Sequence, residues 1–413
     1  MTIHWGSSAL LPAFNPASLF SAGEQGLWYD PDDLATLYQD DAGTTPVTAA
    51  GQGVGRILDR SGRNNYATQS IAANEPTYQV SPDRLTIDKS NDRLIVTVPV
   101  GGFVGTMILS TPEGTAAYGV NIPAGSFDIG GVGGLYFPGT AITGQLIRNG
   151  AMTDAEIAQT ISYMRARGGG LNYGAVTNFT NYWRNQTRIT SFPIIDVSNA
   201  IAITATWFGC TGLTSFPLLN TANVINFQNS WNGCSSLTSF PTLPTGSGQN
   251  FVGAWTSCSA LISFPLIDTS NATTLNGAFY DCTSLANFAA INTTNVQDFL
   301  NAWRNCSSLT SFPAINTSSA TTFQNAWLSC TGLTTFQPNV FDNCPATNFT
   351  NAFAGTNLNQ TSIDNILVSI NTAGTSNGTF NQSGGTAPSV GTGQPAIDAL
   401  RARGWAVTVT GGY

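Results

Sequence analysis

The chain has 413 residues, too many for one small core, and so sets an expectation of two or three domains. Its charged fraction of 9% lies far below the roughly 25% of an ordinary soluble domain, so Ser, Thr, Asn, Gln and Gly must supply the polar surface. A net charge of −8, with only 14 Lys and Arg and no basic run, excludes a nucleic-acid footprint and attraction to anionic membranes, and no apolar stretch of about 18 residues could span one.

Residues 1–25, with Trp5, Leu10, Leu11 and Phe14 among small residues, read as an arm that docks on a partner. Met1 to Phe20 hold no Lys or Arg followed by a long apolar run, so no secretory signal of the usual kind is expected. A surface-type composition without such a signal fits a protein released by lysis, as virion proteins are. Asp30, Asp32, Asp33, Asp40 and Asp41 could hold Ca²⁺ through hard oxygens, but they match no EF-hand loop. A solvated, helix-starting acidic run is the preferred reading, and no metal site is expected. In Gly150 to Gly168, Thr153 and Glu156 form a capping box, and Ile157, Ile161 and Met164 share one helical face.

The runs Trp28-Tyr-Asp-Pro and Asp59-Arg-Ser-Gly62 resemble the opening of laminin-G-like β-sandwich domains, in the version common in tailed-phage structural proteins. The helix of Gly150 to Gly168 resembles their closing helix. The resemblance implies a virion domain over residues 26–168, mainly β and jelly-roll-like. The segment's middle is short for that family, so a full or a reduced sandwich is expected. Gly168-Gly-Gly170 then reads as a hinge.

From 171 to 356 a 24-residue repeat decides the architecture. Phe192, Phe216, Phe240, Phe264, Phe288, Phe312 and Phe336 recur in strict register, as do six cysteines from Cys210 to Cys330. Trp183, Trp207, Trp231, Trp255, Phe279, Trp303 and Trp327 keep the same period. Within a copy, Phe227, Trp231 and Cys234 lie at i, i+4 and i+7, which predicts a short helix. Leu237 and Phe240 then open a predicted strand, and Pro241 ends it. Polar corners such as Asp268-Thr-Ser-Asn271 follow, where Asp or Asn can bond its own backbone two residues on. One unit cannot cover its own apolar side, so copies must stack, to about 29 Å for seven rungs of ~4.8 Å.

The cysteine ladder has no CxxC and no neighbouring His, so buried apolar packing explains it better than zinc or disulfides. Cys344, out of register, is the thiol expected at the surface. After Phe336 the period slips by two residues at Phe349 and Phe353, where a cap is expected to begin. Residues 357–413 read as that cap, with Ile363, Ile366 and Ile370 on one helical face, a second helix over Ala396 to Trp405, and a strand at Val407 to Thr410.

The run Asp268 to Leu285, and Cys306-Ser-Ser-Leu309 with its flanks, resemble the leucine-rich repeats of BspA-like bacterial surface proteins. Trp where that family has Phe and a shorter Phe-Pro strand exit are the departures. The resemblance implies an α/β leucine-rich-repeat solenoid that serves binding.

Catalytic chemistry finds little to stand on. His4 is the only histidine, which nearly excludes Ser-His-Asp and Cys-His arrangements. A carboxylate pair among Asp196, Asp268, Asp281, Asp298 and Asp342 is the remaining route, as in depolymerase tailspikes. Thr190, Ser191, Thr214, Ser215, Thr238, Ser239, Thr310 and Ser311 instead form a predicted hydroxyl ladder suited to carbohydrate, or else a merely solvated sheet face. The expectation is therefore a non-enzymatic virion structural protein: a tail fibre, spike or capsid appendage. Its N-terminal region would bind other virion proteins and its solenoid a host-surface glycan or protein. The resemblance implies a trimer, and no cofactor is implied. A bacterial cell-surface adhesin and a polysaccharide depolymerase are the alternatives.

Overall fold

The computed structural model describes residues 15–80, 84–86, 93–98, 103–110, 115–122, 125–130, 141–142, 144–150, 152–153, 156–157, 159–160 and 173–413. Trp5, Leu10, Leu11, Phe14, Ile161, Met164 and the Gly168–Gly170 hinge lie outside them. The described chain is mostly short β-strands in small sheets, with few helices. No helix among the described residues is long and apolar enough to cross a membrane. Two compact units emerge, Met1–Tyr173 with Arg188–Pro193, and Gly174–Thr187 with Ile194–Tyr413.

In the first unit, strands Gly26–Tyr29, Gly144–Asn149, Phe103–Ser110, Thr115–Ile122 and Ile189–Ser191 form one antiparallel sheet in that order. A second five-stranded antiparallel sheet runs Gly125–Gly130, Arg93–Val98, Ala67–Thr68, Arg56–Ile57 and Leu37–Tyr38. The two sequence runs that resemble laminin-G-like domains meet here. The buried Asp59 carboxylate accepts the N–H groups of Trp28 (2.9 Å), Ser61 (2.8 Å) and Asn65 (3.0 Å), so it knots strand and turn together. Arg60 bridges Asp30 and Asp33 at 3.0 and 3.1 Å while its guanidinium lies 4.5 Å from the Trp28 ring centroid. Asp33 also caps the short 3-10 helix Leu34–Thr36, and Asp40 accepts the N–H groups of Thr44 and Thr45. These acids thus serve the loop itself.

The capping box at Thr153 forms, with Thr153 N–H on Glu156 Oε2 (2.7 Å) and Glu156 N–H on Thr153 Oγ1 (3.3 Å). Ile157 packs against a buried cluster of Leu19, Phe20, Trp28, Ile108, Leu146 and Met152. Leu19 and Phe20 belong to the expected docking arm. The 3-10 helix Pro16–Phe20 turns them inward, so this part of the arm is core.

The second unit carries a parallel ladder. Asn178, Ala202, Asn226, Asn250, Thr274, Asp298, Thr322 and Asn348 bridge in sequence, at intervals of 24 residues until the last. Trp183, Trp207, Trp231, Trp255, Phe279, Trp303, Trp327 and Phe353 form a buried column with ring centroids 5.0–6.3 Å apart and planes within 8°. The Phe216–Phe336 column stands edge-on beside it, each Phe ring 4.7–5.4 Å from indoles or phenyls of two successive copies. Such pairs add about 0.5–1.5 kcal/mol each beyond area burial. The two-residue slip leaves Phe353 in the column, stacked on Trp327.

The helix expected inside each copy is not there. From Phe227 to Cys234 the N–H groups of Phe227, Asn229, Trp231 and Gly233 donate to carbonyls of the next copy, while those of Ser230, Asn232 and Cys234 bond three residues back. Two left-handed residues four apart enforce this alternation: Asn229 and Gly233, and likewise Asn181 and Asn185, Gly253 and Ser257, Gly277 and Asp281, Asn301 and Asn305, and Asn325 and Ser329. An α-helix tolerates no such residues and spends all its donors on itself. The aromatic spacing that suggests a helix therefore marks inward-facing corners of a turn chain.

Buried bonds between copies complete the stack. Thr221, Thr245, Thr269, Thr293 and Thr317 each donate Oγ1 to a carbonyl 23 residues ahead, at 2.5–2.7 Å. Asn199, Asn223, Asn271 and Asn295 donate Nδ2 to a carbonyl 25 residues back. The corner turns form as the sequence predicts, with Asp268 Oδ1 accepting Ser270 N–H and Asn292 Oδ1 accepting Thr294 N–H.

Past Phe336 the ladder continues in different material. Asn348–Phe349, Thr379–Asn381 and Ala406–Thr408 form a parallel sheet. The α-helices Gln360–Thr372 and Gly393–Ala402 connect these strands, and Ile363, Ile366 and Ile370 are buried as expected.

Candidate functional site

Thr214, Ser215, Thr238, Ser239, Thr310 and Ser311 are exposed between the buried Leu and Phe of each copy, and the strand expected over Leu237 and Phe240 does not form. Thr238 Oγ1 donates to the Thr214 carbonyl, so part of the hydroxyl inventory is used between copies. Two features break the expected ladder. Ile262 and Ala286 stand where Thr recurs in the other copies, and Ile262 is 55% exposed. Thr190 and Ser191 lie in the first unit, where Ile189–Ser191 pairs with Thr115–Ile122. The hydroxyls thus form two short runs, one at Thr214–Ser263 and one at Thr310–Thr335.

A second surface was not anticipated from the sequence. Leu218, Leu219, Leu243, Leu266 and Ile267 floor an open groove of about 940 Å³, with Asn220, Thr242, Asp268 and Asn292 among its walls. Leu218 is 59% and Leu266 60% exposed, and Ile194 in the same row reaches 79%. A signal for it existed: Pro-Ile194-Ile195, Pro-Leu218-Leu219 and Pro-Leu266-Ile267 carry aliphatic pairs. Neighbouring residues of an extended segment face opposite sides, so one of each pair must face solvent.

The repeat's acids accept hydrogen bonds within turns or from neighbouring segments of the stack. Asp298 Oδ1 accepts Leu300 N–H and its Oδ2 accepts Asn276 Nδ2, while Asp281 accepts Asn305 Nδ2. Asp342 accepts Ser369 Oγ. Hydrogen bonds from Ser198 and Ser270 hold the carboxyls of Asp196 and Asp268 below the usual carboxylate range. A glycosidase acid needs the opposite shift.

The six ladder cysteines are buried and free, each donating its thiol to the carbonyl of the aromatic residue 27 positions earlier, at 3.0–3.2 Å. Burial pushes the thiols of Cys210, Cys258 and Cys330 up to about 12. Cys344, expected at the surface, is also buried: it falls 24 residues after the buried Ala320 and repeats its turn bond, with the Cys344 N–H donating to the Phe341 carbonyl. Among the described residues no group of three or more His, Cys, Asp or Glu is placed to hold a metal. The chain matches no protein-family model, no curated protein and no solved structure.

Proposed function

We propose that this chain is a non-enzymatic structural protein of a tailed-phage virion, either a tail fibre, a spike or a capsid appendage. Its first unit would be a laminin-G-like β-sandwich that attaches to other virion proteins. Its second would be a solenoid of 24-residue coils presented to the host surface, in a trimer. The observation that carries the reading is the unbroken parallel ladder from Asn178 to Asn348, whose buried side is spent on self-stacking and whose outer side repeats small polar and aliphatic groups. Such a surface offers many weak contacts in register and no group poised for bond cleavage. The engagement of the repeat's acids as hydrogen-bond acceptors, in turns and between copies, favours binding over depolymerisation.

Immunogold electron microscopy with antibody against residues 174–413, on particles and cells from the producing culture, tests this. Gold on virions is the expected result, and its position separates tail from head. Gold on cell envelopes with bare particles would replace the reading with a bacterial adhesin. New reducing ends after incubation with host capsule would replace it with a depolymerase. A monomer at every concentration would remove the trimer.

A further inference from the structure

We infer that the groove around Leu218 and Leu266 binds an apolar, cationic peptide segment of a partner protein. This rests on the host-binding reading above and gives the groove, rather than the hydroxyl rows, the main contact. Three observations converge on that occupant.

The first is the floor. Leu218 and Leu266 are well over half exposed and stand over the buried Leu219, Leu243 and Ile267 in a concave, drug-sized volume of about 940 Å³. Covering two such side chains is the largest unrealised hydrophobic gain in the groove.

The second is the missing platform for sugars. Every ring of the repeat columns, including Trp231, Trp255, Phe240 and Phe264, is buried, and none lines the groove. Carbohydrate lacks aliphatic side chains to fill a leucine-floored cleft, whereas Leu, Ile or Val of a peptide fit it directly.

The third is charge. Between Arg188 and Arg304 the chain contains four Asp and no Lys, Arg, His or Glu. Asp268 is the single charged residue on the groove wall, exposed, and held ionised by the Ser270 hydrogen bonds. A field of one sign with no counter-cation favours a cationic partner and disfavours an anionic one. It also opposes a second copy of this groove, which would bring Asp268 against Asp268.

The repeat supplies its own control for the charge. Asn220, Asn292 and Asn316 occupy the position of Asp268 in other copies and make the same turn bond. Asp268→Asn therefore removes the charge and keeps the corner.

The experiment uses the full chain and a fluorescent peptide of alternating Leu and Lys, with Leu-Glu and Ser-Lys versions as comparisons, read by anisotropy. The expected result is binding of the Leu-Lys peptide only. Leu218→Ser with Leu266→Ser should weaken it roughly tenfold or more. Asp268→Asn should weaken it a few-fold at low salt, with the difference lost at high salt. Equal binding of the Leu-Glu peptide would overturn the cationic assignment. Binding that survives the double Leu variant would overturn the site. A drop in oligomeric state of that variant, with no peptide binding by the parent, would assign the groove to self-association instead. A negative peptide result together with gold on virions would sink this inference and leave the virion reading standing.

Discussion

Inner copies of the second unit return from one parallel bridge to the next in 24 residues, whereas Asn348 to Thr379 takes 31 and Thr379 to Ala406 takes 27. The inner return opens on a chain of turns with two left-handed residues four apart, whose alternate N–H groups reach the next copy. The first outer return keeps the left-handed pair, at Asn351 and Gly355, and adds the α-helix Gln360–Thr372; the second carries the α-helix Gly393–Ala402, and the donors of both helices are satisfied internally. The two constructions share one ladder and differ in what they offer a further copy. A turn segment presents donors and needs a neighbour, whereas a helix presents few.

Removing residues 357–413 should break this arrangement most severely. Phe349, Phe353 and Phe380 are fully buried at this end, and Gly355 N–H bonds the Ser383 carbonyl. Truncation after Thr356 should abolish cooperative unfolding and produce aggregates in size-exclusion chromatography. A monomeric truncated chain with an unchanged Tm would show that the helices do not cap.

A smaller effect separates buried ladder hydroxyls from exposed ones. Thr269→Val leaves the Asn292 carbonyl without its Oγ1 donor and should cost about 1–3 kcal/mol in urea unfolding. Thr408→Val, on the exposed face of the last strand, should stay within about 0.5 kcal/mol. Equal effects would mean that the threonine bonds between copies carry no special share of stability.

The smallest test reverses sign between the two constructions. Ser257 sits at φ 57°, at the position where Gly209, Gly233 and Gly355 stand in other copies. Ser257→Gly should raise stability by about 0.5–1 kcal/mol, because Gly adopts that conformation without a Cβ penalty. Ala399→Gly, inside the helix Gly393–Ala402, should lower it by about 1 kcal/mol. A Tm that falls in both variants would contradict the left-handed turn geometry.

What could be read from the sequence follows the same division. The period, the buried aromatic and cysteine columns, the Asx corners and the helix from Gln360 were legible because each rests on local chemistry or strict repetition. The inner return was misread as helical because Phe227, Trp231 and Cys234 satisfy helical spacing. The Asn and Gly residues at 229 and 233 carried the contrary signal, visible only when aligned across copies. The groove is carried by the aliphatic pairs after Pro193, Pro217 and Pro265, which no strict repeat marks because Pro241 and Pro313 lack them. The destination of Ile189–Ser191 was not legible at all, since its Leu-like residue, Thr and Ser match the repeat pattern while its partner strand lies about 70 residues upstream.

Each inner copy hands on the same backbone ladder that it receives, so the backbone of a copy does not record its ordinal place. Gain or loss of a whole 24-residue copy leaves the backbone ladder matched and changes reach by one rung, ~4.8 Å. Length is therefore a quantity that simple duplication can tune, while both ends stay unchanged. Interchangeable inner units also free each one to vary its outward residues independently, as Ile262 and Ala286 already do among threonines. The protein is in this sense a ruler whose marks can be rewritten one at a time.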